Sequence, residues 1–120
     1  AAVQALASNF KEHPDTLPIL IDRAIADNNW DVRGAAVQAL ASNFKDEPGM
    51  FELFYNCAFN DPFQREKDWQ TNPRLVALEA IIMYYPEHPH TLPLLRDRAE
   101  NDTDEVLREF ACEKLAEFEK

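Results

Sequence analysis

Glycine is scarce in this 120-residue chain, which contains only Gly34 and Gly49. Phosphate-binding loops and tight β-turns need glycine, because other residues rarely adopt positive backbone φ angles. The scarcity therefore argues against a nucleotide-binding loop and against a β-rich fold. No segment alternates apolar and polar residues over a useful length, so we expect no β-strands.

Long apolar runs and a surplus of basic residues are also missing. No run approaches the ~20 apolar residues of a membrane-spanning helix, and no basic-then-apolar leader is present. The chain has 22 acidic and 12 basic residues, a net charge of −10, whereas nucleic-acid binding needs a basic surface. We therefore expect a cytoplasmic chain that binds neither membrane nor nucleic acid. The acidity favours a basic protein partner.

Residues that could bind a metal or act in catalysis form no convincing set. Cys57 and Cys112 match no metal-ligand spacing and are expected to be free thiols in a reducing compartment. His88 and His90 lack further converging ligands, and the acids of residues 100–105 lack the glycine and closing glutamate of a calcium loop. Since Ser8 and Ser42 have no neighbouring base, we predict no catalytic residue, cofactor or metal, and hence no enzyme.

The chain is instead rich in internal repetition. Residues 1–10 and 35–44 are both AAVQALASNF, an offset of 34. A further copy at offset 75 aligns HPDTLP of residues 13–18 with HPHTLP of residues 88–93. Because 75 is 34 plus 41, the middle repeat carries seven extra residues, which we place within residues 61–68.

Each repeat reads as two helices. Thr16 is predicted to cap the first helix and Asp31 the second, and apolar residues recur at helical spacing in both. The seven predicted helices are 1–10, 16–27, 31–44, 49–60, 72–85, 91–101 and 104–118. The expected organisation is a half repeat 1–14, followed by repeats 15–48, 49–89 and 90–120. A lone second helix cannot bury its apolar face, so we expect further repeats before residue 1 in the natural protein.

These repeats resemble HEAT repeats, which implies an all-α, right-handed, armadillo-like solenoid. The resemblance rests on Asp27, Val32-Arg33, Ala36 and Leu40 and on equivalent positions in the later repeats. Each repeat has an acid six residues before an arginine, and in HEAT arrays such pairs form a ladder of hydrogen bonds. The resemblance therefore implies three ladder pairs: Asp27 with Arg33, Asp68 with Arg74, and Asp102 with Arg108.

Three segments carry a further likeness: HPDTLPILIDRAIADNNWDVRGAAVQALASNF of residues 13–44, and residues 60–81 and 88–111. Their sequences resemble the C-terminal arrays of large bacterial NACHT-family NTPases. That likeness implies a non-catalytic protein-interaction or sensor segment of a signal-transduction protein, monomeric as a fragment. A scaffold or spacer array and a phycobilisome-lyase-like HEAT protein are the alternatives. A tetratricopeptide array shares the 34-residue period, but residues 16–27 lack its Trp, Leu-Gly and Tyr positions.

Two surfaces are candidates for protein binding. Second helices line the concave face of a HEAT stack, where the exposed stripe would run through Gln4, Ser8, Gln38, Ser42, Glu79, Met83, Glu113 and Glu117. This stripe becomes acidic towards its end, so a partner there would present basic residues. The second candidate is the insert, because Phe63, Arg65 and Trp69 are of the residue types that carry binding energy at interfaces.

Overall fold

The computed structural model describes residues 2–119, so Ala1 and Lys120, at the ends of the expected half repeat and last repeat, lie outside it. Within these residues the chain is all-helical, with seven α-helices and no strand. The helices are α1 Ala2–Asn9, α2 Thr16–Ala26, α3 Trp30–Phe44, α4 Met50–Asn60, α5 Pro73–Tyr84, α6 Thr91–Asn101 and α7 Glu105–Phe118. Every end lies within one residue of the predicted bound.

A polar side chain directly before each of α3, α5 and α7 caps the start of that helix. The Asn29 side chain accepts a hydrogen bond from the Asp31 backbone N–H at 2.9 Å. Asn72 and Asp104 serve α5 and α7 in the same way. The prediction that Asp31 caps α3 was therefore wrong. The helix begins earlier, at Trp30, so Asp31 lies in its first turn.

Buried threonines connect successive hairpins. The Thr16 hydroxyl donates to the Phe10 carbonyl at 2.6 Å, and the Thr91 hydroxyl donates to the Tyr85 carbonyl at 2.7 Å. The prediction that Thr16 caps the free amides of α2 was therefore wrong. The Thr16 hydroxyl instead satisfies a carbonyl at the end of the preceding second helix, where four carbonyls lack helical partners.

The helices pair in chain order into three hairpins, α2–α3, α4–α5 and α6–α7. The second helix α3 also packs against both α1 and α5, so the hairpins stack side by side. One apolar core runs through the stack. Its largest fully buried apolar side chains are Leu20, Val37, Leu40, Phe54, Leu78, Ile81, Leu94, Leu95 and Leu107. Gly49 precedes α4 with φ +84°, a backbone angle that favours glycine.

Arginines of two hairpins are bound by aspartates of the following hairpins. Arg33 donates from Nε and Nη2 to the two carboxylate oxygens of Asp61 at 2.9 and 3.1 Å. Arg74 donates in the same way to Asp102 at 2.9 and 3.0 Å. The Nη1 atoms of Arg33 and Arg74 donate to the backbone carbonyls of Asp27 and Asp61. The ion pairs therefore join neighbouring hairpins and lie inside the stack.

The sequence predicted that each arginine binds the carboxylate of the acid six residues before it. This prediction is wrong, because Arg33 and Arg108 bind only the backbone carbonyl of that acid. Arg33 contacts the Asp27 carbonyl at 3.0 Å, while the Asp27 carboxylate accepts from Arg23, four residues earlier on α2. Arg108 likewise donates to the Asp102 carbonyl, at 2.6 Å. Because an arginine has five N–H groups, it can bind its own turn through one nitrogen and the next hairpin through two others.

The third predicted pair, Asp68 with Arg74, is wrong as well. The aspartate that directly follows each first helix accepts a backbone N–H two residues later, and this holds for Asp27, Asp61 and Asp102. Asp61 therefore remains at offset 34 from Asp27, and the extra residues follow it. Asp68 lies exposed in the long α4–α5 connection, where it cannot reach the buried guanidinium of Arg74.

Candidate protein-binding groove

Two adjoining hollows lie where α1, α3 and α5 pack side by side. One measures about 230 Å³ and the other about 80 Å³. The first is lined by Gln4, Trp30, Asp31, Gly34, Ala35, Gln38, Thr71 and Val76, and the second by Gln38, Ala41, Ser42, Val76, Glu79, Ala80, Met83 and Tyr84. Because both are lined by Gln38 and Val76, we describe them together as the second-helix groove.

The structure brings four of the predicted binding residues together. Gln38 and Ser42 of α3 and Glu79 and Met83 of α5 line the same hollow. These positions are related by the offset of 41, so side-by-side packing of equivalent helices places them opposite each other. All four are exposed, and Met83 retains 68% of its accessible surface. Gln4 lines the other hollow, where its side-chain amide donates to the Ala35 carbonyl at 3.5 Å.

The two acids predicted at the end of the stripe lie apart from the groove. Glu113 and Glu117 are exposed on α7 and line neither hollow. Glu117 lies 3.6 Å from Lys114 one turn away, so part of its charge is compensated locally. The acidic end of the stripe is thus a separate surface in this structure.

The groove combines an apolar floor with a few polar groups. Partial burial raises the pKa of Glu79, and the charge of Lys114 opposes that rise. At one end the Lys45 ammonium lies 5.5 Å from the centre of the Tyr84 ring. Surfaces of this composition suit an amphipathic protein segment, whose apolar side chains are buried while polar groups fix its orientation.

Sequence reasoning missed Val76, Ala80 and Tyr84 as groove residues. They recur every four residues on α5, a spacing that places them near one side of a helix. That spacing is a usable signal, but it is shared with core positions. Only the packing of α3 against α5 shows which side stays open.

The three candidate residues of the insert have different surroundings. Phe63 is only 4% exposed, so it is not available to a partner. Arg65 donates from Nε and Nη2 to the two carboxylate oxygens of Asp104 at 3.0 and 2.9 Å, which ties the insert to the last hairpin. Trp69 is 74% exposed and lies beside Trp30 at the edge of the groove. Among these three, Trp69 alone retains a large free surface.

The histidines and acids that resembled ligands have structural contacts. His88 stacks on Phe51 with ring centres 3.5 Å apart, and its Nδ1 accepts the His90 backbone N–H. Among residues 2–119, no group of three or more His, Cys, Asp or Glu residues could hold a metal ion. Burial raises the pKa of the Cys57 thiol to about 12, with Asp61 contributing, which disfavours the nucleophilic thiolate.

A comparison with family models gives one match. Residues 16–42 match the HEAT repeat. The match covers α2 and most of α3, and it supports a HEAT-repeat array, since the other two hairpins have the same two-helix form. No curated protein and no solved structure matches the chain. Across residues 2–119 the helices are too short or too polar to cross a bilayer.

Proposed function

We propose that this chain is a non-catalytic protein-interaction module that binds a partner segment in the second-helix groove. HEAT repeats generally mediate protein–protein interaction. The observation that carries the proposal is the meeting of Gln38, Ser42, Glu79 and Met83 from two helices in one exposed groove.

The proposal includes the protein to which the module belongs. The likeness of its repeats to NACHT-family arrays supports a segment of a right-handed C-terminal HEAT array in a bacterial signal-transduction NTPase. In such a protein the array would hold or sense a partner while another domain binds nucleotide. The full-length reading frame tests this part, since a G-x-x-x-x-G-K-[ST] motif upstream is expected and its absence would reject the NTPase assignment.

The groove is tested by site-specific photocrosslinking in the cell of origin. A photoreactive phenylalanine analogue replaces Ser42, and the crosslinked protein is identified and purified. Its affinity is then measured for the unmodified chain and for Met83→Asp, which places a charge in the groove. Ile19→Asp is the matched control, because Ile19 is 42% exposed on α2 and lines neither hollow.

We expect Met83→Asp to weaken binding at least tenfold, as for a residue central to an interface. Ile19→Asp should bind as the unmodified chain does, and circular dichroism should show that both variants are folded. Equal affinities for all three proteins would place the partner elsewhere. If the photoreactive residue at position 42 crosslinks to no protein, the spacer alternative is supported.

A further inference from the structure

Trp69 is the most exposed of the large apolar side chains, at 74%. It does not lie in a loose loop. Arg65 donates from Nη1 to the Gln70 carbonyl at 2.6 Å, and the Gln70 side-chain oxygen accepts from the backbone N–H groups of Glu66 and Lys67 at 2.7 and 2.9 Å. These bonds close the segment around Trp69.

The closed segment is also fixed to the last hairpin. Both oxygens of Asp104 accept from Arg65, and Asn72 donates to the same carboxylate at 3.0 Å. The insert therefore presents Trp69 in a defined position. Because the loop that carries Trp69 is already ordered, binding there costs this chain little further conformational entropy, which favours a strong interface position.

Trp69 is the outer end of a row of aromatic rings. Its ring centre lies 6.0 Å from that of Trp30, which lies 6.0 Å from that of Phe63. The inner end of the row carries a guanidinium, since Arg65 lies 5.6 Å from the centre of Phe63. Within residues 2–119 no lysine or arginine lies over the outer ring of Trp69.

Acids outnumber bases beside the two outer rings, since Lys67 is the one base within two residues of Trp69 or Trp30. Asp68 precedes Trp69 and Asp31 follows Trp30, both are exposed, and neither forms an ion pair within the described residues. The interior ion pairs use four arginines and three aspartates, namely Arg33, Arg65, Arg74, Arg98, Asp61, Asp102 and Asp104. Of 12 bases and 22 acids, 8 bases and 19 acids are left for the rest of the chain.

We propose that Trp69 binds an arginine side chain of the protein segment that lies in the second-helix groove. The guanidinium lies flat on the indole ring, which is the aromatic ring that attracts cations most strongly. Asp31 and Asp68 accept hydrogen bonds from its edges, as carboxylates do from arginine. This inference rests on the proposed function, because the groove determines where the segment runs.

The test uses the 120-residue chain and defined peptides. Packed helices lie about 8–10 Å apart, so a segment crossing α1, α3 and α5 spans about 20 Å, or roughly 13 helical residues. One 13-residue helical peptide carries three arginines on one face and leucines on the other. Two counterparts carry citrulline or lysine in place of arginine. Affinity is measured by calorimetry, and the indole N–H resonance of Trp69 is followed by NMR.

We expect the arginine peptide to bind and to shift the Trp69 indole resonance. Trp69→Ala should weaken its binding roughly tenfold, while Trp69→Phe, which keeps a ring, should weaken it less. The double variant Asp31→Asn, Asp68→Asn should bind more weakly and with a smaller salt dependence. Glu12→Gln with Asp22→Asn removes the same charge from exposed positions elsewhere and should change binding less.

Three results would overturn this inference: equal binding of the arginine and citrulline peptides, equal binding of the arginine and lysine peptides, or full affinity in Trp69→Ala. If none of the three peptides binds, the inference is overturned as well. The proposed function is judged separately. If Met83→Asp abolishes capture of the crosslinked partner and Trp69→Ala does not, the groove remains the binding site and only the role of Trp69 is rejected.

Discussion

Arg33 and Asp61 form a buried, two-pronged ion pair between hairpins that are neighbours in space. Both residues are at most 9% exposed, and the two N–O distances are 2.9 and 3.1 Å. Arg74 and Asp102 repeat this arrangement between the second and third hairpins. Since each pair spans 28 residues of chain, the stacking of hairpins depends on charges that no single hairpin can satisfy.

The first prediction concerns this pair. Arg33→Ala leaves the Asp61 carboxylate buried without its cation. We therefore expect the free energy of unfolding, measured in urea, to fall by about 3–5 kcal/mol. Arg23→Ala is the matched control, because the exposed side chain of Arg23 pairs with Asp27 within one hairpin. The control should lose about 0–1 kcal/mol. Similar losses in both variants would show that the interior pair does not hold the hairpins together.

The second prediction concerns the two thiols. Because burial and the nearby Asp61 raise the pKa of Cys57 to about 12, this thiol should resist a thiol-specific reagent at pH 8 in the folded protein. Cys112 is exposed on α7 and should react. Titration should therefore count one fast thiol in native buffer and two in denaturant. Rapid labelling of Cys57 without denaturant, detected by mass spectrometry of its peptide, would contradict the described burial.

The third prediction concerns the attachment of the insert. Asp104→Asn removes the charge that holds Arg65 but keeps an oxygen that can still cap α7. We expect trypsin to cleave after Lys67 several times faster in this variant, because the loop opens locally while the helices remain folded. Arg96→Gln is the control, since it removes an exposed pair with Glu119 far from the loop. Unchanged cleavage after Lys67 would mean that the Arg65–Asp104 pair does not order the insert.

The fourth prediction is a pH dependence. Burial alone would raise the pKa of Asp104, but hydrogen bonds from Arg65, Asn72 and the Val106 amide lower it below the ordinary value of 3.8. A carboxyl whose pKa is lower in the folded state stabilises the fold above its unfolded pKa. This contribution disappears as the pH falls through the folded pKa. We therefore expect stability to decrease below about pH 4.

Asp104→Asn cannot titrate, so its free energy of unfolding should fall less steeply between pH 5 and pH 2 than that of the unmodified chain. Asp22→Asn makes the same chemical change on the exposed surface of α2 and serves as the control. Urea unfolding at each pH supplies the comparison. Parallel curves for the Asp104 variant and the unmodified chain would assign the acid sensitivity to other carboxyls.

The helices were predictable because their signals are local. Asn29, Asn72 and Asp104 end the preceding turns, and prolines lie close to the predicted ends. The cap predicted for α3 was two residues too late, also for a local reason. An N-cap accepts from a backbone N–H two or three residues onward, so Asn29 rather than Asp31 satisfies the start of α3.

The ladder and the insert show what local signals leave open. Asp61 and Asp68 differ by the seven residues of the insert, so either one satisfies the repeat spacing. The choice depends on where α4 ends, because only the residue directly after it can place a carboxylate beside Arg33. The sequence also left open which of Phe63 and Trp69 is exposed, since both are aromatic residues of one loop. Both rings lie beside Trp30, and only the tertiary packing shows that Phe63 is buried and Trp69 is exposed.

The sequence by itself determined that this chain is a stack of helical hairpins with an interrupted middle repeat. Repeat period, apolar spacing and helix ends are properties of short segments. They can be read from the sequence without knowing which segments pack together. Tertiary structure decided which carboxylate binds each arginine, which stripe residues share a groove and which insert residue stays exposed. Those outcomes depend on contacts between side chains about 30–40 residues apart. They form only when neighbouring hairpins pack, because burial then removes water as an alternative partner.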